Sequence, residues 1–494
     1  MATPYSLPKL DSTLPAPPGR RHFRDLPSSV AVVPLAILLA CAGMLAAFVL
    51  TVMGKSSMVT IPLGAVFAGL VLANPFVGLM GFACLIALEA VLPSFLGGSW
   101  AKYLGWALFA AVGFHLLLGE RMRISRNPQM LAMAALLLVM LISVQVAVAP
   151  EQAFLGVTTY LQLAALVMVV VHLVCTERRL LILTWALLVM VGLSAVGGIF
   201  QYFVGRIPRA VGFLGNPNAL SLLLSVSLPF LVMFLQRARS NLVRVGIGIM
   251  LALVMTALAV TLSRGGYIAF AIGLFLSLIR FVKALRSIGG VLALTGLFMV
   301  ASYFPLAVWQ RAETIAPALA GNPDTMRVRY QLWQTGWEMF QDNPWLGVGL
   351  GNYRNQAPFY RPPNADRRRL VPHNMFLDMA AELGLPGLLA FLLMLLFCWQ
   401  GLRQAQRRWA DQPGSQLLAL LYCLEISLIV CLVQGMKGSL ANSKLIWLVL
   451  GLSAAATRMA LILRRPNGAR QPASTPSPPA LGVAQQAVAE GKGG

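Results

Sequence analysis

The chain has 494 residues, of which 58% are hydrophobic and only 11% charged, with a formal net charge of +22. A soluble protein of this length could not hide so much apolar surface, so the composition predicts an all-α, polytopic membrane protein. The basic residues sit in short clusters between apolar runs, the distribution that the positive-inside rule produces, which argues against nucleic acid as a partner.

Residues 1–29 are Pro-rich, with Lys9, Arg20, Arg21 and Arg24, and lack the small-residue cleavage pattern of a signal peptide. They read as a disordered cytoplasmic tail. A transmembrane bundle is expected over 30–308, with apolar runs at 30–53, 57–74, 76–93, 101–119, 129–148, 155–175, 179–204, 217–236, 244–262, 266–282 and 288–308. The C-terminal spans occupy 386–463, with runs at 386–403, 416–435 and 443–462, and a disordered cytoplasmic tail over 464–494 follows. Each run approaches the roughly 20 residues needed to cross the hydrocarbon. Two runs meet tightly at Asn74-Pro75 and 266–282 is short, so the expected count is twelve, within a range of twelve to fourteen.

Loop charges give the orientation. Arg121, Arg123, Arg126, Arg178, Arg179, Arg237, Arg239, Arg403, Arg407 and Arg408 fall in alternate loops, which are assigned to the inside. The intervening loops are poorer, with Lys55, Lys102, Arg206, Arg209, Arg264, Lys437 and Lys444. Both tails are then cytoplasmic, and the region 309–385 is a periplasmic loop with short helices that carries the catalytic site.

The stretch 309–372 is the one long polar interval in the chain, with eight Arg, no Lys and five acids. Asp324 can cap a helix in which Met326, Tyr330, Trp333, Trp337 and Phe340 recur at spacings of 4, 3, 4 and 3, one face of an amphipathic helix. Its Trp residues suit the headgroup level. Gly347-Val348-Gly349-Leu350-Gly351 reads as a flexible turn; no strand precedes it, so it is no dinucleotide fingerprint. Asn374 can cap a short helix over 375–383 that Gly384 ends, with Pro386 opening the next span.

Candidate chemistry gathers around this loop. His373 sits at a helix N-terminus, which disfavours imidazolium and leaves a neutral ring able to accept a proton. Arg264, between two apolar runs in Ser263-Arg264-Gly265-Gly266, is costly there unless it pairs or lines a wet cavity. The alternative is a snorkelling surface Arg. Arg209, Arg327 and Arg329 are further outward guanidiniums suited to bidentate phosphate binding. The sequence has no Gly-x-x-x-x-Gly-Lys-Ser/Thr loop, no Asp-x-Asp and no His-Glu-x-x-His, so nucleotide hydrolysis, a metal-held nucleotide sugar and a zinc peptidase are unsupported. The six Cys lie in apolar runs without ligand spacing, and Glu89 and Glu425 are lone acids within spans with no evident partner.

Gly215-Asn216-Pro217-Asn218, Ser263-Arg264-Gly265-Gly266, Arg329-x-x-x-Trp333, Asn343-Pro344-x-x-Gly347-Val348-Gly349-x-Gly351-Asn352 and His373-Asn374-x-x-Leu377-x-x-x-x-Glu382-x-Gly384-x-x-Gly387 together resemble the O-antigen ligase and polymerase superfamily. The resemblance covers roughly residues 200 to 400, in the expected order. It implies an inverting glycosyltransferase of the bacterial inner membrane, with a periplasmic site and neither metal nor cofactor. The donor is a glycan on undecaprenyl pyrophosphate. In the ligase branch the acceptor is a hydroxyl of the lipid A–core, at the lipid bilayer surface. Carried over by position, His373, Arg264 and Arg329 are the catalytic residues: His373 acts on the acceptor hydroxyl, and the two Arg stabilise the departing pyrophosphate. Arg209, Asn218, Arg327 and Asn374 are substrate-binding candidates. Ligase is the first reading. A polymerase or a protein O-oligosaccharyltransferase using the same donor is the alternative, and a transporter is the different class; the latter would show paired mid-span charges or inverted repeats, and neither is seen.

Overall fold

The computed structural model describes residues 69–88, 100–120, 122, 127–282, 323–360 and 371–463. The two expected tails, the runs at 30–53 and 288–308, and Glu89 lie outside the described residues. In chain order the helices are α1 (Pro75–Ile86), α2 (Trp100–Leu117), α3 (Pro128–Ser143) with a 3-10 extension (Val144–Val146), α4 (Pro150–Leu173), α5 (Glu177–Phe203), α6 (Pro217–Arg237), α7 (Asn241–Thr261) and α8 (Arg264–Phe281). After these come α9 (Pro323–Asp342), α10 (Tyr353–Tyr360), α11 (Met375–Arg408), α12 (Gln416–Gly435) and α13 (Lys444–Ile462). No strand occurs among the described residues. Nine of the helices are long and apolar enough to cross a membrane: α3 with its extension, α4 to α8, and α11 to α13. The chain is an all-α polytopic membrane protein. The expected count of twelve is neither reached nor refuted by these nine.

The starts of the helices follow from the sequence. Asn74-Pro75, Asn127-Pro128 and Asn216-Pro217 each place an Asn side chain on the first free amides and a Pro at the first helical position. Thr176, Ser263, Asn374 and Ser415 cap α5, α8, α11 and α12 in the same way. α11 breaks where the sequence predicts: Gly384 has φ 65° and ψ −164°, so residues 375–383 form a separate segment before the span.

α6 and α13 bury 83% of their apolar stretch and form the centre, whereas α7 and α8 bury 28% of theirs within the described residues. Small residues let the helices close up, as expected where lipid tails compete equally for apolar side chains. A Cβ on Gly266 would lie 2.5 Å from Ser221 of α6, and one on Gly273 would lie 2.8 Å from Val430 of α12.

At one end of the bundle, arginines brace the turns. Arg237 donates to the carbonyls of Gly414 and Ser415 at 3.3 and 3.0 Å. Glu425 is not the lone acid that the sequence suggests. Arg403 lies 2.6 Å from it, and Trp399 and Gln406 donate to its two oxygens at 3.0 and 2.8 Å. The pairing explains how a carboxylate is tolerated inside the bundle. α9, α10 and the start of α11 cover the opposite end.

Candidate active site

His373 immediately precedes α11 and has φ 53°, a left-handed conformation that is uncommon for a residue with a Cβ. Three elements hold it there. Asn374 turns its side-chain oxygen onto the amides of Phe376 and Leu377 at 3.0 and 3.3 Å. Trp333 of α9 donates its indole N–H to the Pro372 carbonyl at 2.8 Å. Ser439, in the turn between α12 and α13, accepts the His373 backbone N–H at 3.1 Å and hydrogen-bonds the buried Asp378 carboxylate. Burial first, then the charges of Arg329 and Arg354, hold the imidazole below its ordinary 6.5. The ring is therefore neutral at neutral pH, as the sequence predicts. The causes are desolvation and the neighbouring guanidiniums.

The glycine-rich turn is closely packed and hydrogen-bonded. Gly347, Gly349 and Gly351 all have positive φ, and a Cβ on Gly347 would fall 2.3 Å from the backbone of Glu382. The amides of Val348 and Gly349 bond the carbonyls of Ala381 and Glu382 at 2.9 and 3.0 Å, and Leu385 N bonds Pro344 O at 2.7 Å. The turn thus satisfies carbonyls and an amide that the kink at Gly384 releases from the helical ladder. The amide of Gly351 and that of Tyr353, which opens α10, donate to the Glu382 side chain at 2.8 and 3.2 Å. Asn352 is fully buried and pairs through its side chain with Ala149, fixing the turn to the α3–α4 junction.

On the cationic side, the loop before α6 docks against the end of α7. Arg209 donates to the carbonyls of Thr261 and Leu262 at 3.1 and 3.3 Å, groups that a helix end leaves without partners. Asn218 accepts from Ser263 Oγ at 2.9 Å. Gln434 of α12 donates to Asn218 O and Ser221 Oγ at 2.9 and 2.6 Å. This network sets the start of α8, where Arg264 is exposed. Burial, then the charge of Arg264, lowers the guanidinium pKa of Arg329. Burial also lowers Arg209; Tyr267 opposes the shift and Arg329 adds to it. Arg209, Arg329 and Arg264 therefore lie within electrostatic reach as a chain of cations, and His373 within reach of Arg329.

α9 packs onto the protein through a face beside its aromatic stripe. Leu332, Thr335 and Met339 are buried, whereas Tyr330, Trp333 and Trp337 are 68%, 36% and 53% exposed. The buried face forms a small core with Val348, Tyr353, Ala357 and Ala381. The aromatic stripe is left to face outward, in keeping with a headgroup-level position.

Of the sequence candidates, His373, Arg329, Arg264 and Arg209 come together. Asn218 and Asn374 spend their side-chain oxygens inside the protein, on Ser263 and on the α11 cap. The Arg327 side chain lies outside the described residues. Asp378, Arg354, Lys437 and Ser439 also border the site but carry no motif signal; only Glu382 stands in a recognisable pattern. No group of three or more His, Cys, Asp or Glu residues that could hold a metal occurs among the described residues. No curated protein matches the chain. The family model described as O-antigen ligase matches residues 247–392, from α7 through the kink of α11. That segment carries Arg264, Arg329 and His373, and it matches the O-antigen ligase and polymerase superfamily.

Proposed function

We propose that the chain is an O-antigen ligase, an inverting, metal-independent glycosyltransferase of the bacterial inner membrane with its site facing the periplasm. It moves O-antigen glycan from undecaprenyl pyrophosphate to the lipid A–core. The acceptor hydroxyl oxygen attacks the anomeric carbon as the carbon–oxygen bond to the pyrophosphate breaks. The hydroxyl proton goes to the neutral imidazole of His373, and the bonding pair leaves with undecaprenyl pyrophosphate. Arg264 and Arg329 meet the negative charge that grows on the departing oxygen, where fixed cations in a partly dry site act most strongly. Arg209 braces the turn that presents Arg264. Residues 309–385 form the catalytic cap, with the bundle of 30–308 and the spans of 386–463 as its scaffold.

The observation that carries this reading is a half-buried, neutral imidazole within electrostatic reach of a chain of guanidiniums, in the segment that matches the family. A base for the acceptor and cations for the leaving group are what this transfer needs, since the pyrophosphate ester is already activated. A polymerase would use the same donor and differ in its acceptor, a second lipid-linked glycan. The test is transfer by the purified protein in chelator and without ATP, read by mass spectrometry of lipid A–core and of the lipid-linked pool. Glycosylated lipid A–core supports the ligase, and elongated lipid-linked glycan alone identifies a polymerase. A strict need for a divalent ion or nucleotide hydrolysis overturns the mechanism.

A further inference from the structure

The turn between the last two spans, residues 436–443, lies beyond the family match, yet it touches both halves of the site. On the cationic side, the Lys437 side chain runs along the first turn of α8. A Cβ placed on Gly265 would lie 3.4 Å from Lys437 Cβ and 3.5 Å from its Cδ. The ammonium, two bonds beyond Cδ, therefore lies close to the α8 N-terminus and its Arg264. On the other side, Ser439 accepts the His373 backbone N–H at 3.1 Å and bonds Asp378, which is 8% exposed.

The turn is firmly held. Lys437 N bonds Gln434 O at 3.0 Å, Leu440 N bonds Gly438 O at 2.9 Å, and Trp447 donates its indole N–H to Ala441 O at 2.8 Å. Gln434 is in turn bonded to Asn218 and Ser221, the residues that fix Ser263. Gly435 lets this end of α12 press against Met375, the first residue of α11; a Cβ there would lie 2.3 Å from the Met375 sulfur. One short segment thus sets the spacing between the start of α8 and the start of α11.

We infer that the Lys437–Ser439 turn is a working part of the site: Lys437 is a further cation for the donor's pyrophosphate, and Ser439 is a positioning residue for His373. The inference rests on the glycosyl-transfer reading above. Lys437 carries a point charge on an apolar stem laid against glycine, so it can meet the phosphate oxygens of the bound donor. Ser439 acts through the backbone. It helps hold His373 at a φ that an unconstrained histidine seldom adopts, and it ties that backbone to a buried carboxylate.

The experiment uses the full-length protein in lipid nanodiscs with lipid-linked glycan and lipid A–core. Lys437→Met keeps the stem and removes the charge; Ser439→Ala removes the hydroxyl; Lys437→Arg and Ser439→Thr are the conservative partners. Lys437→Met is expected to raise the donor KM about tenfold while the acceptor KM holds, with recovery in Lys437→Arg. Ser439→Ala is expected to lower kcat about tenfold with both KM values unchanged, with recovery in Ser439→Thr. Inorganic pyrophosphate should raise the melting temperature of the wild type and of Ser439→Ala, and raise that of Lys437→Met less. Wild-type kinetics in Lys437→Met and Ser439→Ala, with His373→Ala inactive, overturn the inference and leave the glycosyl-transfer reading standing. Losses that follow a lowered melting temperature and are not recovered by Arg or Thr also overturn it, since the turn is then only structural. No transfer by the wild type, or full transfer by His373→Ala, sinks the underlying reading instead.

Discussion

Trp333 donates its indole N–H to the carbonyl of Pro372 at 2.8 Å, so the residue before His373 is tied to the helix that carries Arg329. The bond couples the candidate base to the Arg329 guanidinium, which helps depress its pKa, through four residues of α9. Trp333→Phe keeps an aromatic ring and removes the donor. Transfer should fall about tenfold, since small misplacements of a reacting group are costly, and the melting temperature should change little. An unchanged rate would show that Pro372 needs no such tether.

The pair His373 and Arg264 is assigned to different substrates. His373→Ala should lose about 10²–10⁴ in rate, the usual span for a general base, while still binding donor. Arg264→Ala should lose a comparable factor, and Arg264→Lys should recover little because an ammonium lacks the two-pronged geometry. Well-folded variants of both residues that transfer at near wild-type rates would place the chemistry elsewhere.

Acid should silence the enzyme through His373. Its folded value lies below 6.5, so the neutral, active ring persists above that value and is lost as pH falls through the lowered one. The sign for stability is the same: the unfolded chain binds the proton more readily, so stability is complete above 6.5 and declines as pH falls. Arg329→Gln removes one of the charges that depress the ring. The acid limb of the rate profile should move toward higher pH in that variant. A limb that stays put would mean that the titrating group is not His373.

The orientation can be checked directly. In a background without reactive cysteines, a cysteine at Asn364 should react with an impermeant reagent on intact cells, and one at Gln412 should not. Labelling of Gln412 alone would invert the bundle and move the site to the cytoplasm.

Gly347→Ala should be among the most damaging single methyl additions. It meets both a positive φ and backbone at 2.3 Å, and overpacking of this kind costs about 1–3 kcal/mol or more. Thermal unfolding should show a clear loss, whereas Gly246→Ala, with open space around it, should not. Similar melting of both variants would mean that the turn can yield.

The nine described spans were legible because apolar runs act locally, and Gly384 announced the kink for the same reason. The packed face of α9 was not. Periodicity in Tyr330, Trp333 and Trp337 marks an amphipathic stripe, but hydrophobicity alone cannot tell lipid from protein. The helix packs through Leu332, Thr335 and Met339 instead. Ser439 and Lys437 are ordinary residue types that reach the site only through tertiary folding. Glu425 looked partnerless because Arg403 and Gln406 lie on the preceding helix, around 20 residues away in sequence, and meet it only when α11 and α12 pack.

The kink at Gly384 has a mechanical consequence. A straight α11 of 34 residues would be about 51 Å long at 1.5 Å per residue, against a hydrocarbon thickness of about 30 Å. The break divides that length into a spanning rod and a short platform beneath His373. Because Pro344, Val348 and Gly349 bond the backbone around the break, the angle between rod and platform is fixed by the protein rather than by the bilayer. A thicker or thinner membrane that tilts the rod therefore tilts the platform and the glycine-rich turn bonded to it, and with them the His373 end of the helix.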